Sequence, residues 1–215
     1  MNASRKRAFD LLFSIAGLLL SSPLLALLAA TVKLSDGGPI FYRQQRVGQG
    51  GRLFTIFKFR SMVVNAERMG LSVTKQGDPR ITRVGRFMRK TKLDELPQLW
   101  NVLRGDMSFV GPRPEVPRYV ERYTEKQRSV LALKPGITDI ASLQFRNEEE
   151  LLRAADDTER FYLEHCVPRK IELNLAYSKE ANLWEDFKII IRTLIACVHS
   201  GQHERTLPQQ PQTPP

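Results

Sequence analysis

Two adjacent carboxylic acids, Asp94 and Glu95, lie in a cation-rich part of the sequence and are called the acidic pair below. Guanidinium and ammonium groups bind phosphate, and a helix N-terminus adds backbone amide donors. The stretch before the pair carries Arg80, Arg83, Arg86, Arg89, Lys90 and Lys92, and Arg113 follows between two prolines. These residue types indicate a site for a polyanion, with two carboxylates available for nucleophilic attack or metal binding.

Two interpretations of the acidic pair stay open at this point. Acidic residues commonly open a helix, where they cap free amides and are kept ionised by the helix dipole. If one carboxylate instead attacks phosphorus, charge repulsion of ~4 kcal/mol at ~4 Å and an effective dielectric of ~20 must be offset. Guanidinium groups and a divalent ion can do so. Neighbouring helical residues point about 100° apart, so one carboxylate can face phosphorus while the other binds metal.

The elements around the pair can be predicted from their patterns. Residues 83–91 are expected to be helical, and a second helix should begin near Asp94, with Pro97 in its first turn, and end at Gly105. Two β-rich segments, residues 40–42 and 53–60, flank a glycine-rich turn and predict a hairpin. Strand alternation places Lys58 and Arg60 on one face, as phosphate ligands or as a solvated strand end.

Further helices are predicted over residues 117–133, 148–166 and 181–198. A helix followed by a loop is expected over residues 61–77, and the Pro/Gln-rich end should be disordered. The predicted fold class is therefore α+β, mostly helical with a small β-hairpin.

Composition limits the class of partner without choosing one. The 215-residue chain has a formal net charge of +10, which implies nucleic acid, anionic lipid or a phosphorylated substrate. Its two cysteines have neither metal-ligand spacing nor the number needed for a disulfide framework.

Residues 11–32 carry no charge and are mostly apolar. A straight helix of that length would reach ~33 Å, enough to cross a hydrocarbon core of ~30 Å. A cleaved signal peptide, a single span and a re-entrant helix all fit this length, although the run is long for a signal peptide.

Ser22 and Pro23 interrupt the apolar run in its middle, and basic residues flank it on both sides. Since basic flanks favour the cytoplasmic side, we expect both ends there and a helix broken at Ser22 and Pro23. Each arm would reach ~15 Å, about half the bilayer. The predicted organisation is a re-entrant membrane helix over residues 1–35, one cytosol-facing domain over 36–200 and a tail over 201–215.

Three segments resemble the bacterial sugar transferase family, the monotopic phosphoglycosyl transferases that act on polyprenyl phosphate. They are KFRSM (residues 58–62), DPRITRVGRFMRKTKLDELPQLWNVLRGDMSFVGPRPE (78–115) and KPGIT (134–138). Long motifs of this kind are specific. Together with the Ser22-Pro23 break and the last helix, the resemblance covers roughly residues 4–198, and this sequence looks like the minimal form of the family.

The resemblance implies a role for each site residue. Asp94 would attack the β-phosphate of a UDP-sugar, release UMP and carry the sugar phosphate covalently, while Glu95 would ligate Mg²⁺. Arg89 matches an active-site arginine. Lys58 and Arg113 match phosphate-facing positions, and Arg60 lies within the same motif.

The resemblance also implies the partners and the place of the reaction. Polyprenyl (undecaprenyl) phosphate would accept the sugar phosphate at the cytoplasmic face of the bacterial inner membrane, at the first membrane step of glycan assembly, with no nucleic-acid partner. The alternative is a membrane-anchored nucleic-acid or lipid-binding module whose acidic pair only caps a helix. Residues 139–145 depart from the GLAQVNGR-like stretch of many members, so the resemblance does not extend to the choice of sugar.

Overall fold

The computed structural model describes residues 3–69, 74 and 77–198. Its first element, α1 (Ala3–Asp36), is one continuous helix that passes through Ser22 and Pro23. The predicted break is therefore not shown. Pro23 leaves the carbonyl of Leu19 without its helical amide, and the Ser22 hydroxyl donates to that carbonyl at 2.8 Å, so this bond replaces the one that proline removes.

Helix α1 packs on the rest of the chain along one face. Asp10, Ser14, Leu28 and Val32 are buried at helical spacing on that face. The opposite face is apolar and exposed, and includes Leu12, Leu19, Leu20, Leu27 and Leu34. Among the described residues, α1 is the helix that is long and apolar enough to cross a membrane.

The predicted hairpin is confirmed. Strand β1 (Phe41–Val47) pairs antiparallel with β2 (Leu53–Phe59), and Tyr42 lies opposite Lys58. The turn between the strands holds Gly50 and Gly51 at positive φ, which glycine adopts without steric cost.

A second, parallel pair of strands was not predicted. It joins β3 (Ser108–Val110) to β4 (Gly136–Thr138). A Cβ atom at Gly136 would lie 2.2 Å from the amide nitrogen of Gly111, so the two segments approach this closely only because residue 136 is glycine. This close approach places the loop after β3, which carries Arg113, beside the KPGIT segment.

Two helices flank the acidic pair; the first has its predicted bounds, but the second begins at Gln98 rather than near Asp94, because a separate 3₁₀ turn, Leu93–Glu95, precedes it. The first is α2 (Arg83–Thr91). A Cβ atom at Gly85 would lie 1.8 Å from the Ser61 carbonyl oxygen, so glycine at this position permits the close packing of α2 against that backbone. The second, α3 (Gln98–Arg104), ends at Gly105 in the left-handed conformation.

The predictions of one long helix over residues 117–133 and another over residues 148–166 are wrong. The first is divided into α4 (Pro117–Val120), α5 (Glu125–Arg128) and a 3₁₀ turn, because the Thr124 capping box starts a new helix. The remaining helices are α6 (Ile140–Gln144), α7 (Glu148–Arg153), α8 (Thr158–Phe161), α9 (Val167–Glu180) and α10 (Leu183–Val198).

Helix α8 also begins at a new cap, Asp157, and a π-helical turn joins it to α9. Helix α9 was not predicted, whereas α10 is close to its predicted bounds. The segment predicted as helix and loop over residues 61–77 contains one 3₁₀ turn, Ala66–Met69, and part of it lies outside the described residues, as does the tail predicted to be disordered.

Buried side chains form a core under α4 to α9 and two smaller clusters near the acidic pair. One of the smaller clusters joins Leu28 and Val32 of α1 to Phe59 of β2 and Met88 of α2. The apolar N-terminal helix is thus part of the packing that supports the hairpin and α2. The chain has the predicted mostly helical composition with small sheets.

Candidate active site

The acidic pair lies in a short 3₁₀ turn, Leu93–Glu95, between α2 and α3. Lys92 adopts the left-handed conformation, with φ of 57°, which ends α2 and turns the chain into the pair. Both side chains are buried, with 5% of Asp94 and 8% of Glu95 exposed. The N-cap of α3 is Pro97 and no side chain caps this helix, so the helix-cap interpretation is wrong.

Glu95 is held by two cations. Its Oε1 accepts hydrogen bonds from Lys58 Nζ at 2.9 Å and Arg113 Nη2 at 2.6 Å, and its Oε2 accepts from Arg113 Nη1 at 3.1 Å. Burial alone would raise the pKa of Glu95, but Arg113 and Lys58 hold it well below its usual value. Glu95 is therefore an ionised carboxylate that fixes both cations beside Asp94.

Burial and the Glu95 carboxylate also shift the pKa values of Lys58 and Arg113. Desolvation lowers the pKa of Lys58 to about 8, although the carboxylate of Glu95 acts in the opposite direction. The pKa of Arg113 is raised by Glu95, so its guanidinium stays charged.

Asp94 differs from Glu95 in its contacts. Its Oδ1 is buried and has no hydrogen-bond partner among the described residues. Burial, together with the neighbouring Glu95 carboxylate, raises the pKa of Asp94, while Lys58, Arg89 and Lys92 act against that rise. The nearby cations Lys58, Arg89 and Lys92 are thus the groups that favour the charged form of Asp94.

Arg89 lies in the last turn of α2 and forms an ion pair with Glu149 of α7. It is also one of the charges that act on Asp94. The structure thus groups Arg89, Lys58 and Arg113 with the acidic pair, as the sequence predicts.

Arg60 is not brought to this group. Its guanidinium pairs with both oxygens of Asp36, at the end of α1, and its Nε donates to the Pro39 carbonyl at 2.6 Å. The prediction assumed that Lys58 and Arg60 share a strand face, but β2 ends at Phe59, so alternation no longer applies to Arg60. Arg60 instead fixes the connection between α1 and the hairpin.

Two further residues near the site were not predicted. Asp139 is 1% exposed, and its Oδ2 accepts from the Arg113 amide at 2.8 Å while its Oδ1 caps α6. The cap pattern at the start of α6 was available in the sequence, whereas the contact with Arg113 was not. Gln98, four residues after Asp94, is 1% exposed, and its Nε2 has no partner among the described residues.

The donor set fits Mg²⁺ that is shared with a bound phosphate. No cluster of three or more His, Cys, Asp or Glu side chains suited to a metal occurs in the described part of the chain. Mg²⁺, however, commonly uses one or two carboxylates and completes its shell with water and substrate phosphate. A carboxylate has about four acceptor positions; Glu95 uses three of them, and Asp94 Oδ1 is unpartnered.

Several known proteins are similar in sequence to this chain over most of its length. The chain is 41% identical over 203 residues to an undecaprenyl-phosphate galactose phosphotransferase of Salmonella typhimurium, covering 87% of this chain and 39% of that protein. It is 38% identical over 198 residues to the UDP-glucose:undecaprenyl-phosphate glucose-1-phosphate transferase of Escherichia coli, covering 90% and 40%. The chain thus spans about two fifths of the length of these two relatives.

A relative of similar size is the exopolysaccharide production protein ExoY of Sinorhizobium fredii, 36% identical over 215 residues and covering 92% of this chain and 88% of that protein. The family model described as "Bacterial sugar transferase" matches residues 1–200. That match includes α1, the hairpin, the acidic pair and the Arg113 loop. The chain therefore belongs to the bacterial sugar transferase family.

Proposed function

We propose that the chain transfers a sugar 1-phosphate from a UDP-sugar to a polyprenyl phosphate such as undecaprenyl phosphate, giving a polyprenyl diphosphate sugar and UMP. The observation that carries this proposal is the buried, unpartnered Oδ1 of Asp94 beside a Glu95 that is held by Lys58 and Arg113. The substrates named for the relatives, UDP-glucose and undecaprenyl phosphate, support the same reaction class.

In the first step a carboxylate oxygen of Asp94 attacks the β-phosphorus of the donor. The new bond joins that oxygen to phosphorus, and the bond between the β-phosphorus and the bridging oxygen breaks. UMP leaves with the electron pair on that oxygen, and the sugar phosphate stays on Asp94 as an acyl phosphate. No proton needs to move, since both the nucleophile and the leaving group are anionic.

In the second step a phosphate oxygen of the polyprenyl phosphate attacks the same phosphorus. The acyl phosphate bond breaks and the electron pair returns to the Asp94 carboxylate. Carboxyl phosphates are reactive, so a buried aspartate suits a transient carrier of this kind. The 5% exposure of Asp94 limits access of water, which would otherwise compete with the lipid acceptor.

Three cations would bind and orient the phosphates. Lys58 and Arg113 are held at Glu95, the residue next to Asp94. Arg89 now pairs with Glu149, which is half exposed, and can exchange that partner for a donor phosphate. Cations fixed before the reaction stabilise the charge that develops on the leaving UMP.

Glu95 is the residue that would hold Mg²⁺. When bound, the ion supplies positive charge to the diphosphate and to the departing UMP. The side chains supply the rest: Asp94 the nucleophile, Glu95 the fixed carboxylate, and Arg113 the charge that keeps Glu95 ionised.

The lipid acceptor would approach along α1. We place α1 in the membrane as a re-entrant helix, with both ends and the catalytic domain at the cytoplasmic face of a bacterial inner membrane. The exposed apolar face of α1 and its packing on β2 and α2 support this arrangement. Because Ser22 satisfies the carbonyl that Pro23 frees, the helix can bend there without leaving that group unpaired in lipid.

The reaction is tested by measuring UMP release from a panel of UDP-sugars, with Mg²⁺ and a short polyprenyl phosphate. We expect UMP and polyprenyl diphosphate sugar in equal amounts with at least one donor, and no release after Mg²⁺ is chelated. Absence of UMP with every UDP-sugar would contradict the proposal. Release without transfer to the lipid would contradict the acceptor assignment.

The path of α1 is tested with single cysteines at Ser4 and Leu34, in a background in which Cys197 is replaced by serine. A re-entrant helix exposes both introduced thiols to a membrane-impermeant maleimide on the cytoplasmic side of inverted vesicles. Labelling of the two positions from opposite sides would show a complete span.

A further inference from the structure

The charged residues before the apolar run of α1 contact the catalytic domain. Lys6 forms an ion pair with Asp186 of α10, which is 1% exposed and also accepts from the Tyr177 hydroxyl. Arg7 and Asp10 contact α3 and β3 of the same domain. In the sequence, basic residues at this place indicate only which side of a membrane the helix end prefers. In the structure, at least part of this charge serves contacts within the protein.

Arg7 binds the end of α3. Its Nη1 and Nη2 each donate at 2.7 Å, to the carbonyls of Val102 and Leu103 respectively. These carbonyls lie in the last turn of the helix, where a positive charge is favoured by the helix dipole. Since α3 begins at Gln98, three residues after Glu95, Arg7 fixes the far end of the helix that follows the acidic pair.

Asp10 binds the beginning of β3. It is 1% exposed, and its Oδ1 accepts from the Ser108 hydroxyl at 3.0 Å and from the Phe109 amide at 3.2 Å. Strand β3 leads directly into the loop that presents Arg113 to Glu95. A buried carboxylate that holds two donors is costly to replace with a side chain that cannot accept them.

Between these anchors and the middle of the membrane helix, α1 lies directly on α3. A Cβ atom at Gly17 would be 3.2 Å from Leu99 Cδ1, and Ser14 is fully buried. One face of α1 therefore carries Arg7, Asp10 and Gly17 against the two elements that frame the acidic pair. Movement of α1 would therefore move both the helix that follows Asp94 and the strand that leads to Arg113.

We propose that Arg7 and Asp10 of α1 are positioning residues for phosphoryl transfer. Through their contacts with α3 and β3 they set the distance between the acidic pair and the Arg113 loop. The inference rests on the proposed function, because it concerns attack by Asp94 on the donor. It differs from a role in membrane attachment because its effect must appear in the donor half-reaction, where no lipid acceptor takes part.

The test uses the full chain in detergent and follows the single-turnover burst of UMP from a UDP-sugar with Mg²⁺ and without polyprenyl phosphate. Asp10→Leu removes the acceptor, while Asp10→Asn keeps an oxygen that can accept both bonds. We expect the burst rate constant at saturating donor to fall at least tenfold in Asp10→Leu and less than threefold in Asp10→Asn. The donor concentration at half-saturation should change less than the rate constant.

Arg7→Ala should lower the same rate constant at least tenfold, whereas the matched control Arg5→Ala, an exposed cation two residues away, should not change it. The share of each variant in the membrane fraction should equal that of the wild type. If Asp10→Leu does not fold, Ser108→Ala removes one of the two bonds to Asp10 and should lower the rate constant by about threefold, with a wild-type melting curve.

Wild-type burst rates in folded Arg7→Ala together with Asp10→Leu or Ser108→Ala would overturn the inference, as would equal losses in Asp10→Asn and Asp10→Leu. A wild-type protein that releases no UMP from any UDP-sugar would contradict the proposed function instead. The two failures are therefore distinguishable in one experiment.

Discussion

Two carboxylate–cation groups lie at the end of β2, and they differ in how completely their polar atoms are paired. In one, Arg60 uses both terminal nitrogens on Asp36 and its Nε on the Pro39 carbonyl. In the other, Lys58 and Arg113 converge on Glu95, and the Oδ1 of neighbouring Asp94 is buried without a partner among the described residues. The sequence places Lys58 and Arg60 two residues apart, yet they serve different purposes.

The difference in pairing supports the proposal that the acidic pair, and not the Arg60 group, performs the chemistry. A fully paired ion group at the end of a helix stabilises one conformation and has no capacity left for a ligand. A buried carboxylate oxygen without a hydrogen-bond partner raises the free energy of the unliganded protein. Binding of a metal ion, or of a phosphate that the neighbouring cations attract, would lower it. The substitutions below ask whether the two groups separate in this way.

The largest effect is expected from Asp94→Asn. The amide cannot form the acyl phosphate, so transfer should fall at least a thousandfold, to the background of the assay. Polyprenyl diphosphate sugar formation is the measurement, with donor binding as the control. Transfer within tenfold of the wild type would show that Asp94 is not the nucleophile.

Glu95→Gln should lower transfer by about a hundredfold, because the neutral amide leaves Arg113 and Lys58 without their anion and weakens metal binding. A titration of activity with Mg²⁺ should show a higher concentration at half-maximal rate. A Glu95→Gln protein with wild-type rate and Mg²⁺ dependence would remove Glu95 from the metal site.

The pH dependence of kcat/KM should reveal Lys58. Its pKa of about 8 means that Lys58 is a cation below that pH and loses its charge above it, so phosphate binding weakens by up to tenfold per pH unit on the alkaline side. On the acid side the rate should fall as Asp94 is protonated, above the usual range of an aspartate because its pKa is raised. Lys58→Arg should abolish the alkaline decline near pH 8, since arginine stays charged.

The smallest effect on transfer is expected at the fully paired group. Arg60→Ala should lower the free energy of unfolding by roughly 1–3 kcal/mol, because it leaves Asp36 and the Pro39 carbonyl without their donor. The kcat of the folded protein should stay within twofold of the wild type, and Arg60→Lys should be intermediate in stability. Thermal unfolding and UMP release on the same samples provide the measurement, and a hundredfold loss of kcat without loss of stability would place Arg60 in the active site.

Local signals predicted the elements closest to the acidic pair. Helix α2 and the hairpin follow from periodicity and glycine-rich turns, and Gly105 marks the end of α3. The family resemblance then grouped Lys58, Arg89 and Arg113 with Asp94 and Glu95, which chain spacing alone does not do. These predictions depend on residues that interact within one element or match a long motif.

The parts that were missed depend on contacts between distant segments. The three-residue strands β3 and β4 are too short for periodicity, and their pairing rests on the approach of Gly111 to Gly136. The role of Arg60 depends on where β2 ends, and Asp139 reaches Arg113 across 26 positions of sequence. The helix predicted over residues 117–133 is wrong because the capping box at Thr124 starts a new helix within that segment.

The central claim is that Asp94 carries the sugar phosphate covalently. Intact mass spectrometry of the wild-type chain, quenched after mixing with a UDP-sugar and Mg²⁺ but no lipid acceptor, should show an added sugar phosphate. Peptide mapping should place it on Asp94, and polyprenyl phosphate should remove it. An adduct that persists in Asp94→Asn, or lipid product formed at full rate with no adduct at any time, would contradict the account.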